Sequence, residues 1–184
     1  MKEDIERVLI TEEEIRERLD HLAKEITEDS ADRQLTVVGI LNGSCLFLGD
    51  LLRRIPLPLT VDCISVASYH GGTSSSGHVT FRQTQLPEVN GRDVLLVDDI
   101  LDTGRTIQAV RQALTGAGAR SVKSCVLVRK AVKRVDTVGA DYVGFDIGSE
   151  FVVGYGLDYM GHYRNLPFIG VLHPDAVQRW IQGA

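Results

Sequence analysis

The sequence predicts an α/β protein with a mostly parallel central sheet flanked by helices. Leu35 to Leu41 (LTVVGIL) and Val94 to Val97 are continuous apolar runs, the pattern of strands buried on both faces. Segments of helical periodicity alternate with these and further short apolar runs. At 184 residues the chain has the size of one ordinary domain. It carries no internal repeat and no linker, so residues 1–184 are expected to form one unit.

The elements follow in order. Thr11-Glu12-Glu13-Glu14 is a capping-box pattern, with Thr11 as cap and Glu14 three residues on. Ile15, Leu19, Leu22, Ala23 and Ile26 recur at helical spacing, which predicts a helix over Glu12 to Thr27. Leu35 to Leu41 is the first strand. Cys45 to Ile55 reads as a helix stopped by Pro56 and Pro58. Val61 to Ala67 is the second strand and Val94 to Val97 the third. Thr106 to Leu114 is a helix that stops near Gly116 and Gly118. Ser121 to Val128, Tyr142 to Asp146 and Phe168 to Leu172 supply the fourth, fifth and sixth strands. Pro174 to Ile181 suits a short closing helix. The segment from Gly71 to Gly77 (GGTSSSG) cannot form a core element; it is either a solvated connection or a mobile lid.

Composition excludes several classes. Hydrophobic residues make up 43% and charged residues 24%, too apolar and too balanced for disorder. The net charge of −5 opposes general nucleic-acid binding. No run approaches the roughly 18 apolar residues of a membrane span. Met1-Lys2-Glu3-Asp4 starts no apolar signal region, so a cytoplasmic protein is expected. Asn42-Gly43-Ser44 is then no glycosylation site. Cys45, Cys63 and Cys125 are odd in number and form no CxxC pair, which argues for reduced thiols rather than disulfides or zinc. His70 and His78 show no metal-ligand spacing and read as loop residues, and His162 and His173 give no independent signal.

Val94 to Thr106 (VLLVDDILDTGRT) is the segment richest in chemistry. A buried strand leads into the paired carboxylates Asp98 and Asp99. Asp102, Thr103, Gly104, Arg105 and Thr106 then open a helix. A helix N-terminus presents unpaired N–H groups and the positive end of the dipole, so this is a phosphate cradle. It is neither a Walker A loop nor a GxGxxG turn. Carboxylates beside a phosphate site are reconciled by a sugar phosphate. The acids then accept from vicinal ribose hydroxyls, and a divalent cation offsets the remaining charge. Taken singly, Asp99 and Asp102 also suit turn and capping roles.

This segment resembles the phosphoribosyl pyrophosphate (PRPP) motif of the type I phosphoribosyltransferases. Asp102 resembles the 6-oxopurine branch of that family, as do the block from Phe151 to Tyr159 (FVVGYGLDY) and the Asn165 to Gly170 run. The likeness runs from about Val8 to Leu172. It implies the type I phosphoribosyltransferase fold, with a small hood and a flexible lid. It also implies a transferase that joins the ribosyl 5-phosphate of PRPP to hypoxanthine or guanine, yielding IMP or GMP and pyrophosphate. The transition state would be oxocarbenium-like and the reaction would use Mg2+.

The resemblance also implies roles. Asp98, Asp99, Asp102, Thr103, Gly104, Arg105 and Thr106 would bind PRPP, with Asp102 the catalytic base or proton-positioning partner. Asn42, Gly43, Ser68, Tyr69 and Arg164 would meet pyrophosphate. Lys130, Phe151, Val152 and Asp158 would bind the purine: Lys130 donating to its 6-oxo group, Phe151 stacking, Val152 reading its edge. Asp158, with Asp98 and Asp99, would serve the metal. Outside that context Lys130 is a solvated strand-end lysine, Phe151 and Val152 are sheet-edge residues, and Arg164 is a surface ion-pair partner. Asn42 stands where many relatives carry lysine, and Asp98 where they often carry glutamate. A cis peptide is expected between Asn42 and Gly43. The resemblance further implies PRPP and 6-oxopurines as partners, a homodimer or homotetramer, and neither nucleic acid nor membrane. Two other functions use the same chain differently. One is a xanthine-preferring transferase. The other is a PRPP-sensing RNA regulator using the basic stripe Arg129-Lys130-Ala131-Val132-Lys133-Arg134.

Overall fold

A computed structural model describes residues 1–68, 79–82, 85–131 and 139–182. After a 3-10 turn at Lys2–Asp4 come strand β1 (Ile5–Ile10) and helix α1 (Glu12–Asp29). The capping box of α1 is complete. Glu14 N donates to Thr11 Oγ1 at 3.2 Å, and Thr11 N donates to Glu14 Oε2 at 2.7 Å. The expected stripe Ile15, Leu19, Leu22, Ala23 and Ile26 is the buried face.

β2 (Leu35–Leu41), α2 (Cys45–Leu52), β3 (Leu59–Ser68) and β4 (Val79–Phe81) follow. α2 ends three residues earlier than the periodicity predicts, because Arg53 and Arg54 turn the chain ahead of Pro56. β5 (Asp93–Leu101), α3 (Arg105–Gly116), β6 (Ser121–Lys130) and β7 (Tyr142–Ile147) complete the main layers. The central sheet has the order β4-β3-β2-β5-β6-β7. All pairs are parallel except β3 with the short edge strand β4. β2 and β5 sit at its middle, so Val37, Val38, Leu96 and Val97 are fully buried. That is why these strands read as unbroken apolar runs. α1 and α2 cover one face and α3 the other.

A second sheet is antiparallel, in the order β1-β9-β8, with β8 (Val152–Val153) and β9 (Ile169–Leu172). This is the expected hood. The strand expected over Phe168 to Leu172 lies here: β9 pairs with β1 and β8, not with the central sheet. An apolar strand of four residues carries no record of its partner. β1 was not foreseen, since Glu6, Arg7 and Val8 are exposed and only Ile10 is buried. α4 (Pro174–Gln182) follows and packs Ala176 against the hood. Among the described residues no helix is long and apolar enough to cross a membrane.

Candidate active site

The candidate site lies beyond the carboxyl ends of β2, β5 and β6, where a parallel sheet leaves its crevice. β5 runs four residues further than Val94 to Val97 suggests. Asp98 pairs with Val126 and Leu101 with Arg129, so the acidic pair expected at the strand's end lies within it. Asp98 is buried, and its Oδ1 accepts from Asp99 N at 3.0 Å. Burial raises both carboxyl pKa values, and the neighbouring Asp99 charge raises that of Asp98 further. The Arg164 charge pulls Asp99 back towards ionisation.

Asp102 and Thr103 are exposed at the turn that follows. Gly104 holds φ 84°, a left-handed conformation that glycine adopts without cost, and α3 starts at the next residue. No side chain caps α3, so its first N–H groups face the loop without a side-chain acceptor. Arg105 is exposed and Thr106 half-buried within this first turn. The β5–β6 ladder ends with Leu101 paired to Arg129, so Asp102 and Lys130 each follow a residue of its last pair.

At the end of β2 the Leu41–Asn42 peptide is cis. The sequence placed the cis bond one residue later, between Asn42 and Gly43; the strand's last residue makes it instead. Ser44 is buried and donates to Ile40 O at 2.6 Å, closing this loop on the strand. Gly43 lies against the Asp99 carboxylate, and Gly156 lies against the Gly43 carbonyl. Arg164 Nη1 donates to Gly156 O at 2.5 Å, and its Nη2 pairs with Asp158 Oδ1 at 2.6 Å. Asp158 Oδ2 accepts from Gly161 N at 2.7 Å. Four expected residues, Asp99, Gly43, Arg164 and Asp158, therefore form one contiguous arc, joined through Gly156.

Lys130 Nζ lies 5.9 Å from the centre of the Phe151 ring. Phe151 is 51% exposed, an aromatic face open to a ligand. Tyr159 holds it edge-on, with ring centres 5.5 Å apart. Val152 is buried in β8 and pairs with Val171 of β9. Sequence reasoning missed two positioning residues here, Gly156 and Tyr159. The signal available was the Gly154-Tyr155-Gly156 spacing, where both glycines take φ above 100°. Ser68 closes β3 and pairs with Val79. Tyr69, His70, His78 and the Gly71–Gly77 segment lie outside the described residues. So do Lys133 and Arg134 of the basic stripe; Arg129 of that stripe is bonded to both carboxylate oxygens of Asp146, at 2.5 and 2.8 Å.

Among the described residues no three His, Cys, Asp or Glu side chains gather as a metal cluster. The donors present are hard carboxylate oxygens. A magnesium ion keeps its waters and takes one or two carboxylates plus substrate phosphates, so the Asp98–Asp99 pair fits that ion.

A strand, an acidic pair and a phosphate loop facing a hood define a sugar-phosphate transferase site. The family description "Phosphoribosyl transferase domain" matches residues 10–160, and the chain belongs to that family. Over 95% of its length it is 44% identical to the hypoxanthine-guanine phosphoribosyltransferase of Streptococcus pneumoniae, covering 97% of that protein. The solved structure of a hypoxanthine phosphoribosyltransferase from Staphylococcus aureus superposes with a TM-score of 0.90 at 42% identity, covering 95% of each chain. The bifunctional protein TilS/HprT of Listeria innocua is 45% identical, and there the chain spans only 27% of the relative's length.

Proposed function

We propose that residues 1–184 act as one phosphoribosyltransferase domain. It converts hypoxanthine or guanine and PRPP to IMP or GMP and pyrophosphate. The observation that supports this most is the union of the β5 acids, the uncapped start of α3 and the Gly43–Gly156–Arg164 arc in one crevice. Each part suits one part of PRPP. The N–H groups of the Thr103–Thr106 turn receive the 5′-phosphate. Asp98 and Asp99 accept from the ribose hydroxyls. The Asn42–Gly43 loop, Ser68, Tyr69 and Arg164 receive the pyrophosphate, Arg164 with a fixed fork.

As pyrophosphate leaves, positive charge develops at the anomeric carbon. The buried carboxylates of β5 stabilise that charge where water is scarce. Mg2+, held by Asp98, Asp99 or Asp158 together with the phosphates, supplies charge neutralisation for the leaving group. Phe151 stacks on the purine and the Val152 backbone meets its edge. Asp102 takes or orients the ring proton. Lys130 donates to the 6-oxo group; adenine presents a donor there and leaves the lysine unpaired. The same reading places the enzyme in the cytoplasm as a homodimer or homotetramer.

A product assay tests this. Purified protein is given PRPP and magnesium with hypoxanthine, guanine, xanthine or adenine separately. IMP and GMP without AMP are expected, and Asp102→Ala should lower kcat by roughly a hundredfold or more. XMP as the main product would replace the substrate assignment with the xanthine reading. PRPP binding without any nucleotide formed would overturn the enzyme reading in favour of the RNA regulator.

A further inference from the structure

The C-terminal helix has no part in the site described above, yet it grips the loop that carries Arg164. Trp180 stacks on His162, with ring centres 3.9 Å apart and planes 21° from parallel. Its Nε1 donates to Tyr163 Oη at 2.6 Å. That hydroxyl donates to Asp4 Oδ2 at 3.1 Å, and Arg179 also pairs with Asp4. Tyr163 is buried with φ 72°, a left-handed conformation that a bulky residue keeps only when its surroundings hold it. The next residue is Arg164.

Tyr163 packs with Leu166, Leu172 and Ala176, and its carbonyl accepts from Leu166 N at 3.1 Å. A cavity of about 430 Å³, lined by Asp4, His162, Arg164 and Trp180 among others, lies beside the loop. On that side Trp180 supplies two side-chain contacts, to His162 and to Tyr163. From Tyr163 the chain of contacts continues through Arg164 to Gly156 and Asp158, and from Gly156 to Gly43 and Asp99.

We propose that Trp180 is a positioning residue for Arg164: the C-terminal helix sets the direction of the guanidinium that meets pyrophosphate. This rests on the assignment of Arg164 to pyrophosphate made above. The indole acts through Tyr163 and touches no substrate. Its removal should cost affinity for the pyrophosphate-bearing substrate and spare the purine, whose contacts belong to Lys130 and Phe151.

Trp180 is also the only tryptophan in the chain, so its fluorescence reports on this loop directly. Titrating the whole protein with magnesium pyrophosphate should change the emission saturably, and Arg164→Gln should abolish the change. In steady-state assays Trp180→Leu should raise KM for PRPP roughly tenfold, the scale of a small misplacement of a binding group, with KM for hypoxanthine within about twofold. Tyr163→Phe removes the shared hydroxyl and keeps the aromatic packing. It should move KM for PRPP in the same direction and decides the matter if Trp180→Leu does not fold. Trp180→Phe keeps a ring on His162 and should recover part of the loss. Unchanged KM for PRPP in Trp180→Leu and Tyr163→Phe would overturn the proposal, as would equal losses for both substrates. If Arg164→Gln leaves KM for PRPP unchanged, the assignment of Arg164 fails first, and this inference with it.

Discussion

Gly43 touches the carboxylate of Asp99 so closely that a methyl group on its Cα would stand 1.7 Å from Oδ2. The loop after β2 and the acidic pair in β5 are thus one packed unit. Gly43→Ala must displace either the loop or the carboxylate. Loss of most activity is expected. A fall in stability of about 2 kcal/mol by urea unfolding should accompany it, the usual scale of overpacking. Activity within twofold of the parent would show that the two parts move independently.

Asp98 is buried beside a second carboxylate, and both effects raise its pKa. Because the raised value belongs to the folded state, the group disfavours folding at neutral pH, and that penalty fades as pH falls. Asp98→Asn removes the charge and keeps the shape. It should raise stability at pH 7 by on the order of 1 kcal/mol, while weakening PRPP binding. Thermal unfolding and isothermal titration with PRPP read the two effects separately. A variant destabilised at pH 7 would contradict the buried-charge account.

Lys130 sits against Phe151 at the end of β6. Lys130→Ala should raise KM for hypoxanthine roughly tenfold, the worth of one charge-assisted hydrogen bond, and spare KM for PRPP. The penalty against adenine should shrink at the same time. The check is the ratio of kcat/KM for the two bases; an unchanged ratio would remove Lys130 from base selection.

Far from the site, Asp93 anchors the start of β5. It accepts from Arg120 Nε at 3.1 Å and Ser121 Oγ at 2.6 Å, and the Arg120 bond leads in lowering its pKa to about 2. A lowered value stabilises the fold above the ordinary carboxylate range. That stability is lost as pH falls from about 4 towards 2. Urea unfolding of Asp93→Asn should show that loss at pH 7 and almost none at pH 2. Equal losses at both pH values would point to packing rather than charge.

Much of this protein is local and was therefore legible. Thr11 and Glu14 announce the start of α1 because a cap bonds its own first turn. LTVVGIL marks β2 because a central parallel strand has no polar face. Gly104 to Thr106 mark the start of α3 because turn and helix start are contiguous in the chain. Three things were not legible. β1 hides because Glu6 and Arg7 break its apolar pattern. β9 gives no sign of its sheet because four apolar residues name no partner. The full length of β5 is hidden because its apolar run stops at Val97, while the ladder to Val126 and Arg129 carries the acids and Leu101 within the sheet.

The sequence by itself determined the layers, the turn into α3 and the family, all through residues that lie within a few positions of one another. Only the tertiary structure decided that Gly43 meets Asp99, that Gly156 seats Arg164 and that Trp180 holds Tyr163. Those contacts join residues far apart along the chain. No local periodicity encodes them; they exist only once the sheet and hood have closed and the backbone has been brought within van der Waals reach.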